Sequence, residues 1–283
     1  MLKIIYGPTA VGKTAYAIDF ALKNNAEIIS ADSMQIYRGM DIGTAKPTPA
    51  ERAQVKHYLV DVVNPDEDFS VAQFIKYCQY DMEKIFAKGK NILIVGGTGL
   101  YLNALINGYN FPQIEKNDEL RRQLETEAKE KGLGVLHERL QKIDPESALK
   151  IHPNDEFRIV RALEIFELTG KPKSQIATKG NSILPKDFEL MEIEMDRDKL
   201  YERINLRVDE MFQKGLVDEV KGLLEKYSPE LTSMQALGYK EVVKYLKNEL
   251  TLEECVNEVK QGTRNFAKRQ LTWFRSFSNL KNK

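Results

Sequence analysis

The stretch GPTAVGKT, from Gly7 to Thr14, constrains the fold of this chain more than any other feature. It fits the pattern GxxxxGK[ST] in full, follows the apolar run LKIIY and precedes a segment with helical spacing. Glycines at positions 7 and 12 let the backbone curl so that its N–H groups point inward, and a helix N-terminus adds the positive end of its dipole. The stretch therefore predicts a phosphate-binding loop between a buried strand and a helix.

The side chains of this loop supply charge for a phosphate group. Lys13 contributes a mobile cation, and the hydroxyl of Thr14 can bind a magnesium ion. The predicted diphosphate-binding residues of the loop are Gly7, Pro8, Thr9, Ala10, Val11, Gly12, Lys13 and Thr14. A nucleotide hydrolase normally also has an acidic residue at the end of a neighbouring strand, but the run NILIV at 91–95 ends in Gly-Gly-Thr-Gly. The loop predicts a diphosphate-like ligand without identifying what carries it, and a glycine-rich turn without a ligand is the alternative.

Short apolar runs alternate with helical patterns in the N-terminal part of the chain. Further strands are predicted at residues 27–30 and 91–95, and capping-box patterns open helices at residues 70–73 and 251–254. Strands that alternate with helices favour a parallel sheet covered on both faces.

The pattern changes near residue 112. From about Asp118 to Thr169 the chain shows consecutive amphipathic helices without a strand-like run, and FELMEIEM at 188–195 then predicts a returning strand. We expect an α/β fold with a P-loop NTPase-like parallel sheet core flanked by helices, and an all-helical insertion domain. The expected bounds are residues 1–112 and 186–283 for the core and 113–185 for the insertion.

Composition places few restrictions on the partners. Lysine plus arginine equal aspartate plus glutamate at 42 each, so net charge does not favour an acidic partner. The two cysteines, Cys78 and Cys255, form no CxxC pair, which argues against a zinc site and fits a reducing compartment. The N-terminal residues show no signal-peptide pattern, and no apolar run approaches the ~20 residues of a membrane span. We expect a cytoplasmic protein without membrane contact.

A second candidate for chemistry follows the strand at 27–30. In open α/β sheets the carboxyl ends of the strands face the ligand crevice, and Asp32 lies at such an end. A carboxylate there can bind magnesium, position an acceptor or accept a proton as general base, whereas a turn or helix-capping aspartate is the structural alternative. The turn GGTGLY, Gly96–Tyr101, would present Thr98 at the same edge, although tight strand–helix packing explains its glycines equally well.

Six segments occur in a distinctive order between residue 7 and about residue 277. They are GPTAVGKT, ADSMQIYRGMDIGTAKP, VGGTGLY, NDEFRIVRALEIFELTGKP, ALGYKE and KRQLTWFR. Together they resemble the bacterial tRNA dimethylallyltransferases, or delta(2)-isopentenylpyrophosphate tRNA-adenosine transferases. The phosphate loop alone is common to many families, whereas the second segment joined to GGTGLY and TGKP is highly specific.

The resemblance implies a function. In this family the loop holds the diphosphate of dimethylallyl diphosphate together with Mg²⁺. The five-carbon group passes to N6 of the adenosine on the 3′ side of the anticodon, in tRNAs that read codons beginning with U, and diphosphate leaves. The implied partners are tRNA, through its anticodon stem-loop, and dimethylallyl diphosphate, and we expect a monomer.

The resemblance also implies residue roles. Asp32 would accept the proton of the adenine amine, and Thr98 would help to orient that amine. The implied tRNA contacts are Asp32, Ser33, Met34, Gln35, Thr98, Phe157, Arg158, Ile159, Val160 and Arg161. Gln35 has the groups to read a base edge, Ile159 and Val160 also fit a helix core, and Phe157 stands where the common family pattern has a glutamine.

Two further patterns extend the candidate site. Arg203 and Arg207 are four apart on a predicted helix, where they could reach the leaving diphosphate, and a solvated helix face is the alternative. The segment 259–283 has no acidic residue but seven lysines and arginines, which favours an RNA-facing surface. Helical spacing favours core packing for its aromatic residues, which are Phe266, Trp273, Phe274 and Phe277. The segment ALGYKE lies near tRNA in the family.

Other classes of protein share part of this pattern. A P-loop small-molecule kinase shares the loop and the aspartate, but it needs ATP and has no use for a helical insertion. An adenine-nucleotide isopentenyltransferase shares the loop and the base, but it has no anticodon stem to grip. A non-catalytic RNA-binding protein would keep its RNA function after Lys13→Ala.

Overall fold

The apolar runs pair into one parallel sheet in the computed structural model, which describes residues 1–110, 114, 117–176, 178–180 and 182–280. The sheet strands are β1 (Leu2–Tyr6), β2 (Ala26–Ala31), β3 (His57–Tyr58), β4 (Asn91–Gly96) and β7 (Glu189–Glu192). They lie in the order β3-β2-β4-β1-β7, and all neighbours are parallel. The central strands are buried on both faces, which explains why their sequences are continuous apolar runs. The predicted α/β core is confirmed.

Helices cover this sheet within a compact unit made of Met1–Ile106 and Ile183–Lys283. They are α1 (Lys13–Lys23), α2 (Pro49–Gln54), α3 (Val71–Ala87), α4 (Gly99–Asn107), α10 (Arg197–Gln213), α11 (Leu216–Leu224), α12 (Tyr239–Leu246) and α13 (Leu252–Phe274), followed by a 3-10 turn at Arg275–Leu280. Both predicted capping boxes form, because Ser70 caps α3 and Thr251 caps α13 through reciprocal hydrogen bonds. Within the described residues, no helix combines the length and apolar content needed to cross a membrane.

The C-terminal aromatic residues divide into two pairs. Phe274 and Phe277 are buried, with ring centroids 5.2 and 5.5 Å from the ring of Tyr6 in β1. Phe266 and Trp273 remain 36% and 39% exposed, so the core prediction is wrong for them. The reason is their place on α13, one residue before the buried positions Ala267 and Phe274.

The second compact unit is Asn107–Ser182. Its helices are α5 (Asp118–Lys131), α6 (Leu133–Ile143), α7 (Pro145–Lys150), α8 (Glu156–Thr169) and α9 (Lys173–Ile176), packed around buried Leu124, Leu136, Leu140, Ile159 and Leu163. A short antiparallel ladder joins β5 (Tyr109–Asn110) to β6 (Thr178–Lys179). The sequence placed an all-helical segment at 113–185 instead. The observed unit begins at residue 107 and ends at residue 182, and the ladder joins its first and last segments. The ladder was not predicted because strands of two residues leave no periodic pattern in a sequence.

Candidate active site

The loop between β1 and α1 forms part of a cavity of about 500 Å³ in the first unit. Gly12 has φ 101° and Ala10 has φ 63°, and this left-handed backbone curls the loop before α1 begins. The Nζ of Lys13 donates hydrogen bonds to the carbonyl oxygens of Gly7 (2.8 Å) and Pro8 (2.7 Å). The strand, loop and helix that the motif requires are therefore present, with the lysine folded back over its own loop.

The loop residues have unequal roles in this geometry. The cavity is lined by Thr9, Ala10, Gly12, Lys13 and Thr14. Val11 instead packs in a buried cluster with Leu200 and Ile204 of α10, so its side chain belongs to the core. A Cβ on Gly7 would lie 2.5 Å from the carbonyl oxygen of Ile193, so close backbone packing requires glycine there.

Three cations line the same cavity, namely Lys13, Arg203 and Arg207. The Nε of Arg203 donates to the carbonyl oxygen of Ala10 at 3.0 Å, which fixes α10 against the loop. Burial lowers the pKa of Lys13 to about 7, although the charge of Asp32 opposes this, and burial also lowers the pKa of Arg207. Such desolvated cations favour an anionic ligand. The expected shared helix face of the two arginines is confirmed, while their contact with diphosphate stays a prediction.

Asp32 lines this cavity directly after β2. Its Oδ1 accepts the backbone N–H groups of Met34 (2.9 Å) and Gln35 (3.3 Å), so the aspartate does stabilise a turn. Among the described residues nothing donates a hydrogen bond to Oδ2. The turn thus fixes the carboxylate and leaves one oxygen for an incoming proton donor, which is compatible with both the structural and the catalytic interpretation.

Thr98 contacts the turn that carries Asp32. The backbone N–H of Ser33 donates to Oγ1 of Thr98 at 3.0 Å, and the Thr98 hydroxyl lies 3.4 Å from the Ser33 hydroxyl. The ends of β2 and β4 therefore meet at one edge of the sheet, as predicted. Packing also explains part of the glycine pattern, because a Cβ on Gly99 would lie 2.5 Å from the ring of Trp273.

The side chain of Gln35 is engaged inside the protein. Its Oε1 accepts from the hydroxyl of Ser30 at 3.0 Å, and its Nε2 lies 3.4 and 3.3 Å from the carbonyl oxygens of Thr44 and Ala45. Met34 is partly buried against the core. These contacts link the Asp32 turn to the following loop, and the tRNA contacts implied for Gln35 and Met34 stay predictions.

Oxygen donors around the cavity suit a magnesium ion. The hydroxyl of Thr14 and the carboxylates of Asp32, Glu51 and Glu210 line the cavity, and magnesium prefers oxygen ligands. In the part of the chain that the structure describes, no group of three or more acidic, histidine or cysteine side chains could enclose a metal. Thr14 is the predicted magnesium ligand among these groups, and that assignment stays a prediction.

Comparison with known proteins now identifies the family. Residues 35–277 match a family model described as IPP transferase. The chain belongs to this family. The phosphate loop and the fixed carboxylate at one edge of the sheet are compatible with membership of this family. The alternative of a P-loop small-molecule kinase is not favoured.

Similar proteins match nearly the whole chain. The tRNA dimethylallyltransferase of Acetivibrio thermocellus is 50% identical, over 98% of this chain and 89% of the relative, and that of Carboxydothermus hydrogenoformans is 51% identical over 99% and 90%. A solved tRNA isopentenylpyrophosphate transferase from Bacillus halodurans aligns with a TM-score of 0.70 and 45% identity, over 97% and 86%. A eukaryotic dimethylallyltransferase acting on tRNA aligns with a TM-score of 0.75 and 32% identity, over 96% and 69%.

The residues implied on α8 of this IPP transferase lie in different environments. The side chains of Ile159 and Val160 are buried in the second unit, which confirms their core interpretation. Phe157 is 73% exposed, and Arg158 is exposed beside Asp155 at 3.0 Å. Of residues 157–160, Phe157 and Arg158 have exposed side chains, and the tRNA contacts implied for them stay predictions.

Arg161 is held by a buried carboxylate. Glu164 is fully buried and accepts hydrogen bonds from Arg161 (2.7 Å), Arg121 (2.9 Å) and the backbone N–H of Asn117 (2.8 Å). Burial alone would raise the pKa of Glu164, but these donors lower it. Arg161 is therefore engaged inside the second unit, and the tRNA contact that the resemblance implies for it stays a prediction.

The segment ALGYKE supports a loop of the IPP transferase core. Glu219 of α11 accepts the backbone N–H groups of Asp41 (3.0 Å), Ile42 (2.7 Å) and Gly43 (3.2 Å), and the hydroxyl of Tyr239 (2.6 Å). Gly43 leaves room for the Tyr239 ring, since a Cβ there would lie 2.4 Å from it. The loop continues to Thr44 and Ala45, which line the cavity. These contacts give the segment a structural role.

Several residues of the cavity were not predicted from the sequence. Glu51, His57, Glu210 and Gln270 also line it. Only Gln270 lay in a quoted segment, KRQLTWFR, where it received no role. The others carry no local signal, because their place in the site depends on tertiary contacts.

Proposed function

We propose that this protein transfers the dimethylallyl group of dimethylallyl diphosphate to N6 of the adenosine that is 3′-adjacent to the anticodon, in tRNAs that read codons beginning with U. The observation that carries the proposal is one cavity that combines a phosphate loop, three cations and the carboxylate of Asp32. Relatives about half identical over nearly the whole chain are tRNA dimethylallyltransferases.

The cationic side of the cavity suits the leaving diphosphate. As the bond between the allylic carbon and the diphosphate oxygen breaks, negative charge grows on the diphosphate and must be stabilised. The loop N–H groups, Lys13, Arg203 and Arg207 supply that stabilisation in a partly desolvated site. A magnesium ion held by Thr14, when bound, would neutralise further charge on the leaving oxygens.

The acidic side of the cavity suits the attacking amine. The N6 amine of adenine is a poor nucleophile because its lone pair is delocalised into the ring. As the new N6–carbon bond forms, the amine acquires positive charge, and Asp32 accepts the proton. The hydrogen bonds from Met34 and Gln35 to Oδ1 hold the carboxylate in place without occupying Oδ2.

The helical unit offers groups suited to RNA. The target base must leave its stack before N6 can react, and proteins hold such bases by stacking and by contacts to phosphate. Phe157 and Arg158 present an exposed ring and an exposed guanidinium on α8. We propose that these two side chains contact the tRNA, with Phe157 stacking where the common family pattern has a glutamine.

One incubation tests the proposed function. The protein is mixed with radiolabelled dimethylallyl diphosphate, magnesium and unmodified tRNA, with AMP and ATP as competing acceptors. We expect label in tRNA, at the adenosine beside the anticodon after digestion to nucleosides. Label in AMP would instead establish an adenine-nucleotide isopentenyltransferase, and ATP-dependent phosphate transfer would establish a kinase.

A further inference from the structure

We propose that Gln270 of α13 is a positioning residue that sets the distance between the diphosphate loop and the turn that carries the general base. The inference rests on the proposed prenyl transfer. It concerns a residue that would act through the backbone of two loops and not through a bond to the reacting atoms.

Both polar atoms of this side chain are used, one on each loop. The Oε1 of Gln270 accepts the backbone N–H of Thr9 at 2.8 Å, and its Nε2 donates to the carbonyl oxygen of Gly97 at 2.9 Å. The side chain is only 5% exposed. In this geometry one N–H of the phosphate loop bonds to Gln270, although a loop of this type normally uses its N–H groups for phosphate.

The bridge continues to the carboxylate through consecutive residues. Gly97 precedes Thr98, whose hydroxyl accepts the N–H of Ser33 at 3.0 Å, and Ser33 directly follows Asp32. Two side chains, those of Gln270 and Thr98, therefore connect the loop that would hold the donor with the turn that would hold the acceptor.

The position of Gln270 itself is fixed by packing. Ala267 and Phe274, three residues before and four after it on α13, are buried. The Trp273 ring lies against Gly99 on the same glycine-rich turn. β1 and β4 pair up to Tyr6 and Gly96, so the sheet fixes where both loops begin. Beyond the sheet, Gln270 sets the position of Thr9 relative to Gly97.

Misplacement of the two loops has a chemical consequence. When diphosphate leaves, the allylic group carries positive charge that the nearest nucleophile captures. If the adenine amine is out of line, water attacks the same carbon, which gives dimethylallyl alcohol and diphosphate and releases a proton to solvent. A loosened bridge therefore predicts donor hydrolysis in place of transfer.

Two variants of Gln270 and one control test this proposal. Gln270→Met keeps the length of the side chain and removes both hydrogen bonds, whereas Gln270→Glu keeps the acceptor for Thr9 and loses the donor to Gly97. Gln79→Met makes the same change at an exposed glutamine of α3 that bonds only to Glu83 among the described residues. The measurements are equilibrium affinity for dimethylallyl diphosphate and for tRNA, the single-turnover transfer rate, and the ratio of dimethylallyl alcohol to modified tRNA.

For both Gln270 variants we expect transfer to fall about ten- to a hundredfold, the effect of a misplacement of roughly 1 Å, and the alcohol fraction to rise. For Gln270→Met, affinity for both substrates should change less than about threefold, and the control should match the wild type. If Gln270→Met does not fold, the transfer rate and the alcohol fraction of Gln270→Glu test the proposal. Unchanged transfer, or a loss that follows substrate affinity with no rise in alcohol, would overturn the positioning role. Absence of transfer by the wild type would instead refute the proposed function.

Discussion

The cavity of the first unit and helix α8 of the second both carry predicted binding residues, but their side chains are used differently. In the cavity, Lys13, Arg207 and Asp32 all line the space that a ligand would occupy. On α8, Ile159 and Val160 are core residues, and Arg161 is paired with buried Glu164. The comparison shows that one helical motif contains both core residues and exposed residues, and that tertiary contacts distinguish the two groups where spacing does not.

The largest expected effect is at the carboxylate in the cavity. Asp32→Asn retains an acceptor for the turn N–H groups but cannot take a proton, so transfer should fall about 10²- to 10⁴-fold while both substrates still bind. Single-turnover rates and equilibrium binding measure this separation. Glu210→Gln changes another carboxyl group of the same cavity and should lower transfer less. If Asp32→Asn were as active as the wild type, the cavity would lose its assigned base.

The next effect concerns the phosphate loop. Lys13→Ala should reduce transfer roughly 10²- to 10³-fold, because the variant loses a cation that stabilises the diphosphate. The loss should be visible as weaker binding of dimethylallyl diphosphate, measured directly. Lys23→Ala, at the exposed end of the same helix, is the control. An unaltered affinity in Lys13→Ala would contradict the account of the loop.

The two arginines of α8 differ in exposure and in pairing, so their substitution should have different effects. Arg158→Ala should weaken tRNA binding and lower the slope of log affinity against log salt by about one, with an unchanged melting temperature. The measurement is binding to tRNA across a series of salt concentrations.

Arg161→Ala should instead act on stability. Removing this donor leaves Glu164 buried with fewer partners and should cost about 1–3 kcal/mol of the free energy of unfolding. Denaturant unfolding measures that cost, and the salt slope of tRNA binding should stay close to the wild-type value. If Arg158→Ala and Arg161→Ala changed the salt slope and the free energy of unfolding to the same extent, the proposed distinction between the two arginines would be wrong.

A smaller effect is expected at the start of β2, where Glu27 lies at the opposite end of the strand from Asp32. Burial alone would raise the pKa of Glu27, but hydrogen bonds from Lys90, Tyr58 and Lys88 lower it to about 2. Because this pKa lies below the ordinary value of 4.5, the ion pairs contribute stability above about pH 4.5 that is lost as pH falls toward 2. Glu27→Gln should cost roughly 2 kcal/mol at pH 7 and progressively less in acid. A cost independent of pH would contradict this assignment.

Local patterns made much of this structure predictable. The strand, loop and helix around Gly7 to Thr14 follow from a short motif, and the meeting of Asp32 with Thr98 follows from the rule that parallel strands end at one sheet edge. The spacing of Arg203 and Arg207 predicted a shared helix face, and the structure shows that this face lines the cavity instead of facing solvent.

Long-range contacts explain what the sequence did not reveal. Gln270 bonds to Thr9 across 261 residues, and Glu219 holds the loop at Ile42 across 177 residues, so neither role has a local signature. The pairing of Arg161 with Glu164 is different, because three residues separate them and the pattern was available. For Arg161, the resemblance to a family implied contact with RNA, and the nearby carboxylate of Glu164 was not considered as its partner.

Calorimetric titration of the purified protein with dimethylallyl diphosphate and, separately, with ATP and GTP in magnesium buffer tests the central claim most directly. The account predicts saturable binding of dimethylallyl diphosphate that Lys13→Ala weakens, with little heat from either nucleotide. Tight binding of ATP or GTP together with no binding of the five-carbon donor would contradict it.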